Sequence, residues 1–464
     1  MLNLKLTNII DICDGTLHLP NGMKADDILT RSPEGVVLDS REVKKDFVFV
    51  AYKGEKVDGH SFIDQVAQKD ALAVICEELP ETITLPCIKV DSSLDALVGL
   101  AAAYRKMVNV TAVGIVGSVG KTSTKEMVAS VLSQKYKVMK GLGNHNNLLG
   151  LSLEILRITD DIQMAVLEMG ISDFGEMRKL AELVRPDSVV FTNIGECHLE
   201  FLGDRDGVLK AKTECFEFLN PEGHVVLNGL DDKLDTITQV NGKKPVRVGM
   251  DSQDVYASDV KINGVYGSDF VLNIKMGKDM SKKVHISMPG AHMVGNGLEA
   301  AAIGILYGLS IDEIAEGIKM AAALPGRSNI IDTKRFLIID DCYNANGASM
   351  RAAIDLLSTA NGRKVAILGD MFELGERSDE IHREIGRYAV SKGIEVVCCV
   401  GKNSRSMYEA AMDALMCEMQ NISYFETVEE LKKRLPSILE ESDTILVKAS
   451  HGMKFADVVE FIRQ

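Results

Sequence analysis

The stretch Val110-Thr111-Ala112-Val113-Gly114-Ile115-Val116-Gly117-Ser118-Val119-Gly120-Lys121-Thr122-Ser123-Thr124 decides the fold. Val110 to Val116 are apolar, β-branched or small, the composition of a strand buried on both faces. Gly117 and Gly120 then let the backbone turn tightly around an anion, and Lys121 adds a point charge. After Thr122 the spacing of Met127, Val128, Val131 and Leu132 predicts a helix. A strand, a glycine turn and a helix N-terminus make a phosphate cradle, because free backbone N–H groups and the helix dipole both favour negative charge. The usual loop has its first glycine where Ile115 stands, so the motif is the shorter Gly-x-x-Gly-Lys-Thr. Gly117, Ser118, Val119, Gly120, Lys121, Thr122 and Ser123 are therefore the expected ATP loop, with the Thr122 hydroxyl on Mg²⁺.

Outward from the loop, strands and helices alternate from Val110 to about Ala323, the signature of a mostly parallel sheet. A polar, turn-prone cluster follows at Gly143-Asn144-His145-Asn146-Asn147. Met164 to Leu167 reads as a buried strand ending in Glu168. An acid there is where a metal-water ligand belongs, since sheet topology brings strand ends to one crevice. The strand Ser188 to Thr192 leads into Asn193-Ile194-Gly195-Glu196-Cys197-His198. A helical stretch carries Lys210 to Glu214. Val246 to Met288 has period two and many turn residues, which predicts a β-rich insertion, and Asn296 to Leu309 is helical again.

Leu324-Pro325-Gly326-Arg327 breaks the chain and reads as a hinge. Beyond it, strands at Phe336–Asp340, Val365–Leu368, Val396–Val400 and Ile445–Val447 alternate with helices. Before the loop, Phe47 to Tyr52 and Ala71 to Cys76 read as strands, and an alanine-rich helix from about Leu94 to Lys106 links onward. The expected architecture is α/β in three domains. A small α/β N-terminal domain (1–107) precedes a central phosphate-loop parallel-sheet domain with the β-rich insertion (108–325). A C-terminal doubly wound, Rossmann-like domain (326–464) completes it.

Composition bounds the partners. With 52 basic against 67 acidic residues, a net charge of −15, the chain offers no general nucleic-acid surface, and anions must bind at local clusters. Nine scattered cysteines without a Cys-x-x-Cys pair read as reduced thiols. The start, Met1 to Asp14, lacks a secretory apolar run, and the longest apolar run, Ala300 to Leu309, is half a membrane span. A cytoplasmic protein is expected.

Gly117 to Ser123, Gly143-Asn144-x-x-Asn147, Glu168-Met169-Gly170, Asn193-Ile194-x-x-x-His198, Pro325-Gly326-Arg327 and Asp340-Asp341-Cys342-Tyr343-Asn344-Ala345-Asn346 resemble, in that order, the Mur ligases of peptidoglycan synthesis. Tyr343 to Asn346, Leu368-Gly369-Asp370-Met371-x-Glu373-Leu374-Gly375 and Asp58-Gly59-His60 resemble the branch that joins D-alanyl-D-alanine to UDP-MurNAc-tripeptide. The resemblance implies that ATP phosphorylates the tripeptide carboxylate and that the dipeptide amine attacks the acyl phosphate. It implies Lys121 on the β/γ-phosphates, Thr122, Glu168 and His198 on magnesium (two ions), and Lys212 as a carbamate, with Lys121, His198 and Lys212 the catalytic set. Asn296, Arg327 and Asp341 become nucleotide contacts. Asn147, Tyr343, Asn344 and Asn346, with Ser40, Arg41 and Lys53 near the UDP part, become substrate contacts. A monomer is expected.

Three departures stand out: Val116 where the family keeps threonine, Gly347 for proline, and Lys448-Ala449-Ser450-His451 for Lys-Gly-Ser-Arg. L-lysine and meso-diaminopimelate both remain open at the third position of the tripeptide. The rivals are another amide ligase of the superfamily, adding the third residue or glutamates to folate, and a nucleotide-binding switch that ligates nothing.

Overall fold

The computed structural model describes residues 4–54, 57–415 and 421–464. Met1 of the amino-terminal stretch and Glu55 and Lys56, between Lys53 and His60, lie outside the described residues. Three sheets follow one another along the chain, with five, nine and six strands.

In the first, Cys87–Lys89, Ala73–Cys76, Phe47–Val50 and Gly35–Val37 run parallel, and Thr16–His18 closes one edge antiparallel. Helix Ser93–Met107 then carries the chain to the central sheet. Ser92 starts it by accepting a hydrogen bond from the Asp95 amide (3.2 Å). Near its end Arg105 is buried and donates to the carbonyls of Val184 (2.7 Å) and Arg185 (3.2 Å), closing the end of helix Glu176–Val184. Arg105→Ala leaves those carbonyls without a donor and is expected to cost about 2 kcal/mol, read as an earlier first transition in urea.

Strand Thr111–Val116 occupies the middle of the central sheet, between Met164–Glu168 and Ser188–Phe191 and parallel to both. Its alternation divides the core. Ala112 and Val116 pack with helices Leu148–Leu156 and Glu176–Val184 on one face. Val113 and Ile115 pack on the other with Lys121–Leu132 and His292–Leu306. The chain leaves this strand, builds its neighbour on one side and then crosses to the other, so the topological switch point falls at the strand's C-terminal end. The expected β-rich stretch is present: Val255–Ile262, Ser268–Ile274 and Met280–Ile286 continue the sheet from Val246–Met250 and form its far edge.

The third sheet runs Asn329–Asp332, Leu337–Asp340, Thr444–Lys448, Lys364–Gly369, Val396–Val400, Asn421–Phe425, parallel except for the first strand. Thr444–Lys448 returns to sit between the strands formed first, so a second switch point opens where Asp341, Asp370 and Ala449 begin their loops. Among the described residues, no helix is long and apolar enough to cross a membrane.

Candidate functional site

The phosphate loop owes its shape to two glycines. Gly117 has φ +154°, and a Cβ there would stand 1.9 Å from Thr192 Oγ1. Gly120 has φ +84° and opens helix Lys121–Leu132, whose first-turn amides have no intrahelical acceptor. The next strand's turn holds the loop from behind. Asn193 Oδ1 accepts from the Val119 amide (3.0 Å), and the Val119 carbonyl accepts from Thr192 Oγ1 (2.6 Å) and Asn193 Nδ2 (3.1 Å). Lys121 Nζ folds back to donate to the Gly117 carbonyl at 2.9 Å. Gly117→Ala is expected to weaken ATP binding roughly tenfold or more, since loop and Thr192 cannot both keep their places. A nucleotide-binding titration checks this.

Next to Lys121, Thr122 donates its hydroxyl to Glu168 Oε2 at 2.8 Å, and both side chains are buried. The other Glu168 oxygen accepts from Asn146 Nδ2 at 2.9 Å. Asn146 is fixed in turn, because its carbonyl accepts from the Gly170 amide (2.9 Å). Lys125, buried on the same face of the loop helix, ties down the start of that segment by donating to the Gly141 carbonyl (2.6 Å).

Lys212 comes from helix Arg205–Thr213 and is 1% exposed. Among the described residues its ammonium has no hydrogen-bond or ion-pair partner. Burial, with the charge of Lys121 adding to it, pulls its pKa down to about 8. His198 sits where the chain turns with φ +52°. Burial lowers its pKa, the Lys212 and Lys121 charges push the same way, and Glu373 opposes them. Lys121, Thr122, Glu168, His198 and Lys212 thus converge on one crevice, built from three neighbouring strand ends and helix Arg205–Thr213.

The Arg327 segment and the C-terminal domain lie against this crevice. The Arg327 guanidinium lies 3.8 Å from the centre of the Tyr343 ring. Burial raises the Tyr343 pKa, and the Glu168 charge adds to it across the domain boundary. Asn296 borders the loop, its Oδ1 3.5 Å from the Cβ position of Gly120. A cavity of about 350 Å³ lies between the two domains, with Ser118, Val119, Glu196 and Arg205 on one side and Asn346 and Ile381 on the other.

Other expected residues hold structure together. Asp341 is engaged by the Ser328 amide (2.8 Å) and by Lys448 Nζ (2.5 Å), which also donates to the Asn344 carbonyl (3.0 Å). Asn147 and Asn346 cap helices Leu148–Leu156 and Gly347–Ser358. Ser40, Arg41 and Lys53 follow two adjacent strands of the first sheet, at a distance along the chain from the loop. The Ser40 carbonyl accepts from Lys69 (2.8 Å), Arg41 is paired with Asp39 (2.5 Å), and the Lys53 backbone forms an isolated antiparallel β-bridge with that of Asp58. A second cavity, about 510 Å³, opens between this domain and the central one, with Lys44 and Arg157 among its walls. Asn146 stands in a polar cluster and Thr192 at a strand end, where nothing in the spacing singles them out; Asn193 stands in a motif of the resemblance but is given no role.

Among the described residues, no group of three or more His, Cys, Asp and Glu side chains is placed to hold a metal. The Thr122–Glu168 pair offers hard oxygen donors, and magnesium bound with a nucleotide keeps most of its shell for water and phosphate. That donor set fits the ion.

Three family models match the chain in order: "Mur ligase family, catalytic domain" over 33–111, "Mur ligase middle domain" over 115–304, and "Mur ligase, glutamate ligase domain" over 326–451. A Bacillus subtilis (strain 168) protein named UDP-N-acetylmuramoyl-tripeptide--D-alanyl-D-alanine ligase is 32% identical, covering 99% of this chain and 98% of its own. The crystal structure of MurF from Acinetobacter baumannii superposes with a TM-score of 0.86 at 28% identity, over 99% of this chain and 98% of that one. MurF ligase from Thermotoga maritima, crystallised in complex with ADP, gives 0.78 at 29% identity, over 92% and 97%.

Proposed function

The chain belongs to the Mur ligase family, and from that premise we propose that it joins D-alanyl-D-alanine to UDP-MurNAc-tripeptide with conversion of ATP to ADP and phosphate. The observation that carries the reading is the buried Thr122–Glu168 contact beside Lys121, set at the switch point of a sheet whose loop geometry suits a triphosphate.

The chemistry has one obstacle. A carboxylate and a triphosphate repel each other, and a carboxylate is a poor electrophile at neutral pH. Lys121, released from the Gly117 carbonyl, meets the β/γ-phosphates, while the first-turn amides of its helix hold their oxygens. The tripeptide carboxylate attacks the γ-phosphorus, the bond to the β-bridging oxygen breaks, and ADP leaves with an acyl phosphate formed. The dipeptide amine then adds to the acyl carbon, loses a proton, and the tetrahedral intermediate expels phosphate. Thr122, Glu168 and His198 would hold magnesium, which supplies charge neutralisation on the phosphates. Burial of the crevice under the C-terminal domain keeps water from the acyl phosphate.

Lys212 is the second part of the proposal. A neutral amine is the form that reacts with carbon dioxide, giving a carbamate and a proton. Its lowered pKa makes that form accessible near neutrality, and an anion there would be drawn to Lys121 where the ammonium is repelled. Asn296 and Arg327 would border the nucleotide, and Tyr343 the acceptor side. Substrates of this kind, with ATP, belong to the cytoplasm.

A phosphate-release assay with ATP, UDP-MurNAc-tripeptide and D-alanyl-D-alanine, each omitted in turn, tests the reading. Release is expected only with all three. Release from ATP alone would favour a nucleotide switch.

A further inference from the structure

The motif Leu368 to Gly375 ends a strand of the C-terminal sheet, and nothing in the reaction above uses it. Its first half is a rigid mount. Asp370 is buried and accepts from both the amide and the hydroxyl of Ser404 (2.7 Å each). The Met371 amide donates to His382 Nε2 (3.0 Å) and the Phe372 amide to Ser450 Oγ (2.9 Å). Leu374 is buried on the far side. Between these anchors Glu373 takes φ +61°, a left-handed conformation that a residue with a Cβ adopts at a cost.

That turn sends its carboxylate across the domain boundary. Glu373 Oε2 lies 2.8 Å from His198 Nδ1. The ring nitrogen is buried, and the oxygen stands off the line of the N–H, so the contact has the distance but not the direction of a hydrogen bond. The other charges felt at His198, Lys212 and Lys121, are both positive. The same two loops meet a second time, through Arg377 and Glu196 at 2.7 Å, and Gly375 lies against Glu200. One carboxylate reaches across from each loop, Glu373 to His198 and Glu196 to Arg377, and the two crossed contacts give the meeting of these loops one register.

We propose that Glu373 is a positioning residue for ligation: carried on the C-terminal domain, its carboxylate stands 2.8 Å from Nδ1, takes up the Nδ1–H as a hydrogen bond when the ring turns to meet it, and leaves Nε2 for the reacting centre. The ring is then held only while the domains are together, which ties the histidine to closure. A carboxylate behind a ligating histidine sets its tautomer and orientation, and its loss commonly lowers activity or metal affinity 10- to 100-fold. The inference rests on the role given to His198 under the proposed function.

The Glu373 side chain is 59% exposed, so its variants are expected to fold. In the full-length protein, E373A is expected to lower kcat about tenfold or more, with KM for D-alanyl-D-alanine within about twofold and a higher Mg²⁺ requirement. E373Q keeps an oxygen for the Nδ1 proton and is expected to recover most of the loss. The double variant with H198A is expected to be no slower than H198A alone. Nitrogen-15 spectra of the imidazoles, assigned by the signal missing in H198A, are expected to show Nδ1–H in the native chain and a shift toward Nε2–H in E373A. An unmoved spectrum, or losses that add in full beside a crippled H198A, would overturn the inference alone. A wild-type rate in H198A would overturn the reading of His198 itself.

Discussion

Replacing Lys212 with methionine is expected to abolish ligation, by about 10³-fold or more in kcat, while the folded protein becomes more stable. The two halves have one cause. An ammonium that is 1% exposed, without a hydrogen-bond partner and repelled by Lys121, is a liability for the fold. A pKa lowered from 10.5 to about 8 corresponds to about 3 kcal/mol against the folded state when the group is charged. Methionine fills similar space without the charge. Such a cost, retained at a position facing the phosphate loop, is what a functional group leaves behind.

The pH dependence has a definite sign. Because the folded pKa is the lower one, the unfolded chain binds more protons between about pH 8 and 10.5, so stability rises with pH across that window. Below about 8 the destabilisation is present in full. Unfolding midpoints of native protein and Lys212→Met are therefore expected to differ most at neutral pH and to converge as pH approaches 10.5. Carbamate formation adds a second lever, because carbon dioxide adds to the neutral amine. Activity is expected to fall in buffer stripped of carbon dioxide and to return with bicarbonate. Equal activity in both buffers would remove the carbamate and leave Lys212 as a plain cation.

The strand, glycine turn and helix were legible in sequence because all of their information is local. Seven small or β-branched residues, two glycines and a lysine fix that unit even with Ile115 at the usual first glycine. Glu168 was legible for a similar reason, since the end of a buried strand beside the loop can only face the switch point. Its partner was not. Asn144, Asn146 and Asn147 share one turn, and only the packed structure separates the one that holds Glu168 from the one that caps a helix. Asn346 raises the same ambiguity, since an asparagine before a helix serves as cap or ligand contact with equal local logic. Contacts across domains leave no periodic trace at all. His198 and Glu373 belong to different sheets, and their meeting depends on how two bodies pack.

Glu168→Gln and Lys121→Met are expected to fail in different ways, and the difference distinguishes a ligase from a binding switch. The glutamine keeps an oxygen for the Thr122 hydroxyl, and a flip of the Asn146 side-chain amide turns its oxygen to the new NH2 group, so the buried contacts and the fold survive, yet the charge beside the phosphates is gone. Affinity for ATP should change little at high magnesium, while kcat falls about 10²- to 10³-fold and the magnesium requirement rises. Lys121→Met removes the cation of the loop, and in a chain with net charge −15 no general positive field replaces it. Its loss should appear first as a raised KM for ATP. Nucleotide titrations beside phosphate-release kinetics separate the two patterns. If Glu168→Gln keeps its rate, the carboxylate has no part in phosphoryl transfer, and the role given to Glu168 falls while turnover stands. If both patterns hold, a lysine that attracts the triphosphate and a carboxylate that commits it to reaction lie one strand apart, on neighbours paired from Thr111–Met164 to Ile115–Glu168.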